Sequence, residues 1–234
     1  MKAFVITLKD NEISEKGAEV CINSNTKVGN EFNIEKFDAT FPDEAAVYMS
    51  HNDIEWKYPW EGYEFDARSG LRKQSYPTPN PGARIACAIS HYRLWKECSR
   101  QGYPYMILEH DAMFQKKVEQ EIVKNNYRII GINDPFRSTR RWQQFRNEIT
   151  GNKAFELDLV RPVPNVDEYY VPQGLAGNSA YIIKPNAADE MINIVKEHGL
   201  WPNDAIMCKQ LIKGMAVSTS FYTKIQGLPS TTSS

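Results

Sequence analysis

Glu109-His110-Asp111 directly follows an apolar run, Tyr105-Met106-Ile107-Leu108. The run has the composition of a buried strand, and ligands of open α/β sheets collect at the carboxyl ends of strands. Two acidic side chains at i and i+2, leaving a strand at a turn, can offer oxygens to one hard divalent cation. Mg²⁺ or Mn²⁺ held by one or two carboxylates, water and a substrate diphosphate needs no more protein than that. His110 between them can add a nitrogen that favours Mn²⁺, or it can point away. An acidic-x-acidic triplet is also common in loops that bind nothing, so its surroundings must decide.

A second stretch, from Asp134 to Arg146, interleaves Arg137, Arg140, Arg141 and Arg146 with Phe136, Trp142 and Phe145. Guanidinium groups between rings suit phosphate contacts and base stacking, which makes Arg137, Arg140, Arg141 and Trp142 candidate acceptor-binding residues. Arg68, Arg72 and Lys73 could add to such a patch. The plainer reading is an amphipathic helix with a solvated basic face. His91 is as well suited to a satisfied structural histidine as to a ligand contact, and Ser90 could simply bond back along its helix.

These residues must be positioned by regular elements. Lys2–Leu8 reads as a buried first strand, followed by a helix over 15–25 with Ser14 as its cap. Asn33–Asp38 alternates as a second strand, and Asp43 is placed to cap a short helix. Ile85, Ala88, Ile89, Tyr92 and Trp95 recur at helical spacing, so 83–100 is an amphipathic helix that Gly102 stops, with Ile89 and Trp95 in the core. A helix over 116–125 is expected next. Strands follow at 127–132, 155–160 and 180–183, with helices after Pro185 and Pro202. Strand and helix therefore alternate, the pattern of an α/β sandwich with a mainly parallel sheet. Residues 51–81 break the alternation with four prolines and six aromatic residues, and suit a site-covering insertion rather than disorder. One domain over 1–228 with a flexible tail at 229–234 is the expected organisation.

Composition narrows the classes further. With 41 % hydrophobic and 24 % charged residues, a disordered or fibrous chain is excluded. The 28 basic and 29 acidic residues leave a net charge of −1, so any polyanion contact must be local. The four cysteines (Cys21, Cys87, Cys98, Cys208) are scattered and suit reduced thiols. No apolar run near the N-terminus reaches the length of a membrane span. The expectation is a soluble, cytoplasmic protein of a bacterium or of a virus-infected cell.

The order of these pieces resembles glycosyltransferase family 25, the lipopolysaccharide galactosyltransferase type. Cys87, Ser90, His91 and Trp95, then Leu108, Glu109 and Asp111, stand at positions matching the family's Gly-Cys-x-x-Ser-His, Trp and Leu-Glu-Asp-Asp elements. The opening Lys2–Asp10, the triplet Phe37-Asp38-Ala39, the stretch from Gly177 through Tyr181 to Ala188, and Pro202-Asn203-Asp204 also fit. His110 replaces the family's middle Asp, Ala83, Arg84 and Ala86 depart from the Gly-Glu-x-Gly stretch, and Asn178 replaces Thr.

The resemblance implies a GT-A-like, Rossmann-type α/β/α sandwich that binds a nucleotide sugar, the UDP form first, across the carboxyl edge of its sheet. It implies an inverting transfer to a saccharide hydroxyl, with Asp111 and Glu109 holding Mn²⁺ or Mg²⁺. Thr7, Leu8, Lys9, Asp38, Arg84, Ser90, His91, Glu109 and His110 become candidate donor contacts, with Asp111 and Asp204 as the catalytic candidates. Asp204 would be the base, although it could equally be a helix-start acid facing the dipole. Two other readings stand beside this one. In the first, the same chemistry modifies hydroxylated bases of viral DNA; in the second, the chain is a silent GT-A-like binding module that lost its metal through His110.

Overall fold

The computed structural model describes residues 1–151, 159–229 and 231. In chain order the elements are β1 (Lys2–Thr7), α1 (Glu12–Lys27), β2 (Ile34–Asp38), α2 (Pro42–His51), β3 (Tyr63–Phe65), β4 (Arg72–Gln74), α3 (Pro81–Gln101), β5 (Tyr105–Glu109) and β6 (Ala112–Phe114). They continue with α4 (Glu121–Lys124), β7 (Ile129–Gly131), α5 (Trp142–Thr150), β8 (Val160–Pro162), β9 (Ala180–Ile183), α6 (Pro185–His198), α7 (Asn203–Ile206), β10 (Met215–Ser218) and β11 (Thr223–Ile225).

Seven strands form the central sheet in the order β2-β1-β5-β9-β7-β10-β8. β2, β1, β5, β7 and β10 run one way, whereas β9 and β8 run the other. The sheet is therefore mainly parallel. Because side chains alternate along a strand, each strand feeds two cores. Phe4 and Ile6 of β1, Tyr105 and Ile107 of β5 and Tyr181 and Ile183 of β9 pack against α2, α3 and α6. Ala3, Val5, Met106, Leu108, Ala180 and Ile182 face the opposite layer of α1, β6 and α4. The result is the expected α/β/α sandwich.

Local chemistry fixes the ends of the helices that matter for the site. In α3, Pro81 sits at the first turn, the Asn80 side chain accepts from the Ala83 N–H, and Gly102 closes the helix at φ 76°. Ile89 and Trp95 are fully buried, as their spacing predicts. Three expected details differ. Asn11, not Ser14, caps α1, because Ser14 is buried inside the helix and its Oγ accepts from the Leu8 N–H at 2.8 Å. Asp43 lies within the first turn of α2, where the Glu44 carboxylate accepts from the Phe41 N–H at 2.9 Å. The expected helix over 116–125 shrinks to the single turn of α4, and the unforeseen β6 and β11 pair as a separate ribbon. Only Val160 of the strand expected at 155–160, together with Leu159, falls among the described residues, and it opens β8. Of the expected tail, Ser230 and residues 232–234 lie outside them.

The aromatic segment is ordered around a hairpin of β3 and β4. Its inner face is anchored by Lys73, whose Nζ donates to the Lys57 carbonyl and sits over the Trp201 ring at 5.4 Å. No helix among the described residues is long and apolar enough to cross a membrane.

Candidate functional site

A cavity of ≈ 520 Å³ opens at the carboxyl edge of the sheet. Parallel strands bring Leu8 and Ala39-Thr40 to this edge, and β5 brings Glu109, His110 and Asp111. Because β9 is antiparallel, it contributes its N-terminal approach, so Asn178 arrives beside the same carboxylates. α3 supplies Arg84, Cys87, Ser90 and His91 from its first half, and the start of α7 supplies Asn203 and Asp204. Leu228, Pro229 and Thr231 complete the wall from the C-terminal segment.

At the back of the cavity lies a buried relay. Trp95 Nε1 donates to the Tyr181 hydroxyl at 2.9 Å, and His91 Nδ1 lies 2.9 Å from the same oxygen. His91 Nε2 lies 3.3 Å from Glu109 Oε1. An indole only donates, so the arrangement that satisfies every group has Tyr181 donating to Nδ1 and His91 donating from Nε2 to Glu109. His91 is therefore a structural histidine that orients a carboxylate. Ser90 is similarly committed: its hydroxyl donates to the Ala86 carbonyl at 2.8 Å and accepts from the Thr40 N–H at 2.9 Å.

The carboxylates share one electrostatic problem. Burial pushes Glu109 up, but His91, His110 and Asn203 more than offset this and hold it below the ordinary range. At Asp111 only a backbone hydrogen bond of its own works in that direction. Burial, and then the charge on Glu109, raise it to about 7, and its Oδ1 is buried with no hydrogen-bond partner among the described residues. Asp204 is also raised, first by burial and then by Glu109. A buried, unpaired carboxylate oxygen beside a second carboxylate fits a divalent cation well, since the cation would supply the missing partner and relieve the repulsion. The Cys87, His91 and Glu109 donor atoms lie within 4.8 Å of one another, but His91 is already held on both nitrogens. The His110 ring lies against Gly17 of α1, and burial lowers its pKa.

The structure thus gathers Leu8, Arg84, Ser90, His91, Glu109, His110, Asp111 and Asp204 around one cavity. Three other expected donor contacts do not line it. Thr7 is buried and its hydroxyl donates to the Val5 carbonyl, while Lys9 and Asp38 are exposed, Asp38 offering its carbonyl to Arg93. Arg137, Arg140, Arg141 and Trp142 stand outside the lining as well. Arg141 pairs with Asp167 at 3.1 Å, Arg146 with Asp134 at 3.7 Å, and the Arg137 guanidinium covers the Phe136 ring at 5.0 Å. Much of that cationic stretch is therefore engaged by the protein itself.

Two sets of contacts between distant segments carry no sequence signal, one made by the expected donor contact Arg84 and one by Gln226. Arg84 lies over the Tyr76 ring at 5.4 Å, and its Nε is buried without a partner among the described residues. This contact ties the aromatic insertion to the cavity wall. Gln226 braces the acidic turn: its Nε2 donates to the carbonyls of Gly17, His110 and Ala112 at 2.9, 3.1 and 3.0 Å, and its N–H donates to the Asp111 carbonyl at 2.8 Å.

Residues 1–207 match glycosyltransferase family 25, described as an LPS biosynthesis protein family. Among curated proteins none matches the sequence. Solved structures with some likeness include the bifunctional glycosyltransferase WbbM, at 9 % identity and TM-score 0.45, covering 92 % of this chain and 38 % of that one. The chain thus spans well under half of WbbM. The galactosyltransferase LgtC, in complex with donor and acceptor sugar analogues, shares 10 % identity at TM-score 0.45, covering 98 % of this chain and 88 % of LgtC. Mouse xyloside xylosyltransferase 1 shares 10 % identity at TM-score 0.39, covering 90 % and 79 %.

Proposed function

Given that the chain belongs to glycosyltransferase family 25 and is a glycosyltransferase, we propose that it moves a sugar from a UDP-linked donor to a saccharide hydroxyl, with inversion and with a divalent metal. The observation that carries the reading is the set of acidic groups facing one cavity, Asp111 and Glu109 on the sheet edge with Asp204 entering from α7. Asp111 and Glu109 would hold Mn²⁺ or Mg²⁺. When bound, such a cation stabilises charge developing on a leaving diphosphate.

The chain's own residues account for the rest. Leu8, Ala39 and Thr40 offer the nucleoside an edge of the cavity, and Arg84 offers its unpaired guanidinium N–H to a phosphate oxygen. Asp204 accepts the proton of the acceptor hydroxyl as its oxygen attacks the anomeric carbon. Its raised pKa suits that role, because a carboxylate nearer to neutral is the stronger base. The Arg137–Trp142 stretch touches the backbone one residue before the cavity-lining Asn178, since a Cβ on Gly177 would lie 3.0 Å from Ser138, and on this reading it meets an anionic saccharide.

Asp204→Asn tests the assignment, with water standing in for the acceptor. Slow hydrolysis of a panel of UDP-hexoses in Mn²⁺ should fall by about 100-fold or more, while donor binding in calorimetry stays within about 2-fold of wild type. Hydrolysis that survives puts the base elsewhere.

A further inference from the structure

Asn178 is only 6 % exposed, yet both its Nδ2 and its Oδ1 lack a hydrogen-bond partner among the described residues. Leaving one buried amide unpaired is costly, and native structures seldom do so without a reason. The side chain also lines the cavity. Its backbone is held closely: Gly177 turns at φ +85° against Ser138 and Asn133, and the Ser179 carbonyl accepts from the Glu109 N–H at 2.8 Å.

Topology says which part of a ligand would meet it. The cavity crosses the sheet edge from β2 through β1 and β5 to β9. A donor laid along that line, with its diphosphate at Glu109 and Asp111 and its nucleoside at Leu8, Ala39 and Thr40, carries its sugar toward β9. Chemistry says what the group would recognise. A carboxamide presents N–H donors and a carbonyl acceptor side by side. A phosphate only accepts and could satisfy one half of it. Two adjacent sugar hydroxyls, each able to donate and accept, satisfy both.

From this we infer that Asn178 grips the transferred sugar through neighbouring hydroxyls and helps select which sugar is accepted. The inference rests on the donor reading above. It deepens that reading by naming the residue that reads the sugar rather than the nucleotide.

Calorimetric titration of the full chain in Mn²⁺, with UDP alone and with a panel of UDP-hexoses epimeric at single hydroxyls, tests it. Asn178→Ala and Asn178→Leu should bind UDP as wild type does, bind the preferred UDP-hexose about 10-fold or more weakly, and lose discrimination among epimers. Their melting temperatures should equal or exceed that of wild type, because an unpaired buried amide is replaced by apolar atoms. UDP-hexose binding unchanged in both variants, or UDP weakened in parallel, overturns the inference and leaves the donor reading intact. Wild-type protein that binds neither UDP nor any UDP-hexose overturns both.

Discussion

Tyr181 carries more of the site than its distance from solvent suggests. Its hydroxyl is the meeting point of Trp95 and His91, and through His91 it fixes the direction in which Glu109 presents its carboxylate. Tyr181→Phe keeps the packing and removes one oxygen. It strands a buried indole N–H and a buried imidazole nitrogen, at about 1–3 kcal/mol for each group left unpaired. Urea unfolding should therefore show a loss of about 2–6 kcal/mol with an unchanged m-value; a loss below about 0.5 kcal/mol would mean that the relay does not hold these groups. Single residues are legible in sequence where periodicity speaks for them. Helical spacing marks Ile89 and Trp95 as core, and both are fully buried. Polar partners are another matter. Ser90, His91 and Asn178 look alike as polar residues near apolar ones, and only the tertiary fold separates two satisfied groups from one that is not.

At the scale of elements, the acidic turn after β5 depends on two segments far from it in sequence. Gly17 in α1 makes room for it, since a Cβ there would stand 2.8 Å from the His110 carbonyl oxygen and 2.8 Å from Leu228 Cδ1. Gln226, just past β11, then ties that turn to α1 through three carbonyls. Gln226→Ala removes the shared donor and should cost about 1–3 kcal/mol in denaturant unfolding. Gly17→Ala should do comparable damage by steric displacement of backbone, despite its better helix propensity of about 1 kcal/mol. A Gly17→Ala protein that is more stable than wild type would show that the turn has room to spare. Most strands and helices of the sheet layer are legible, as apolar or alternating runs and as 3.6-residue periods bounded by polar caps, prolines or glycines, but β10 of the sheet is not among the expected strands. The ribbon of β6 and β11 is not, because each strand has three residues, too few for a pattern, and their pairing joins positions more than 100 residues apart. The helix expected over 116–125 fails for a related reason: Val118 and Ile122 are both buried at i, i+4, but Val118 is held by an Asn30 side chain outside any helix.

For the molecule as a whole, the near-neutral charge of −1 hides an uneven distribution. Acidic groups converge on the cavity, whereas two arginines of the 137–146 stretch, Arg141 and Arg146, find carboxylate partners at the surface. The cavity walls come from β1, β5, α3, the approach to β9, the start of α7 and the C-terminal segment, so nearly every layer of the domain meets there. A ligand filling that space binds only when all of these are assembled, and therefore adds its binding energy to the folding of the entire domain rather than to one loop. At 100 times its dissociation constant, UDP with Mn²⁺ should raise the unfolding free energy by about 2.7 kcal/mol. For a domain of this size that corresponds to a rise in melting temperature of about 5–10 °C, as a single transition. On the proposed reading a cation makes the diphosphate welcome beside Glu109 and Asp111, so Mn²⁺ or UDP alone should give only a small part of the shift. Asp111→Ala removes the carboxylate with the unpaired oxygen and should abolish the combined effect, while the apo protein melts no lower, since an unpaired buried carboxylate has been removed. An undiminished shift in Asp111→Ala would mean that nucleotide and metal meet the protein somewhere other than the edge of β5.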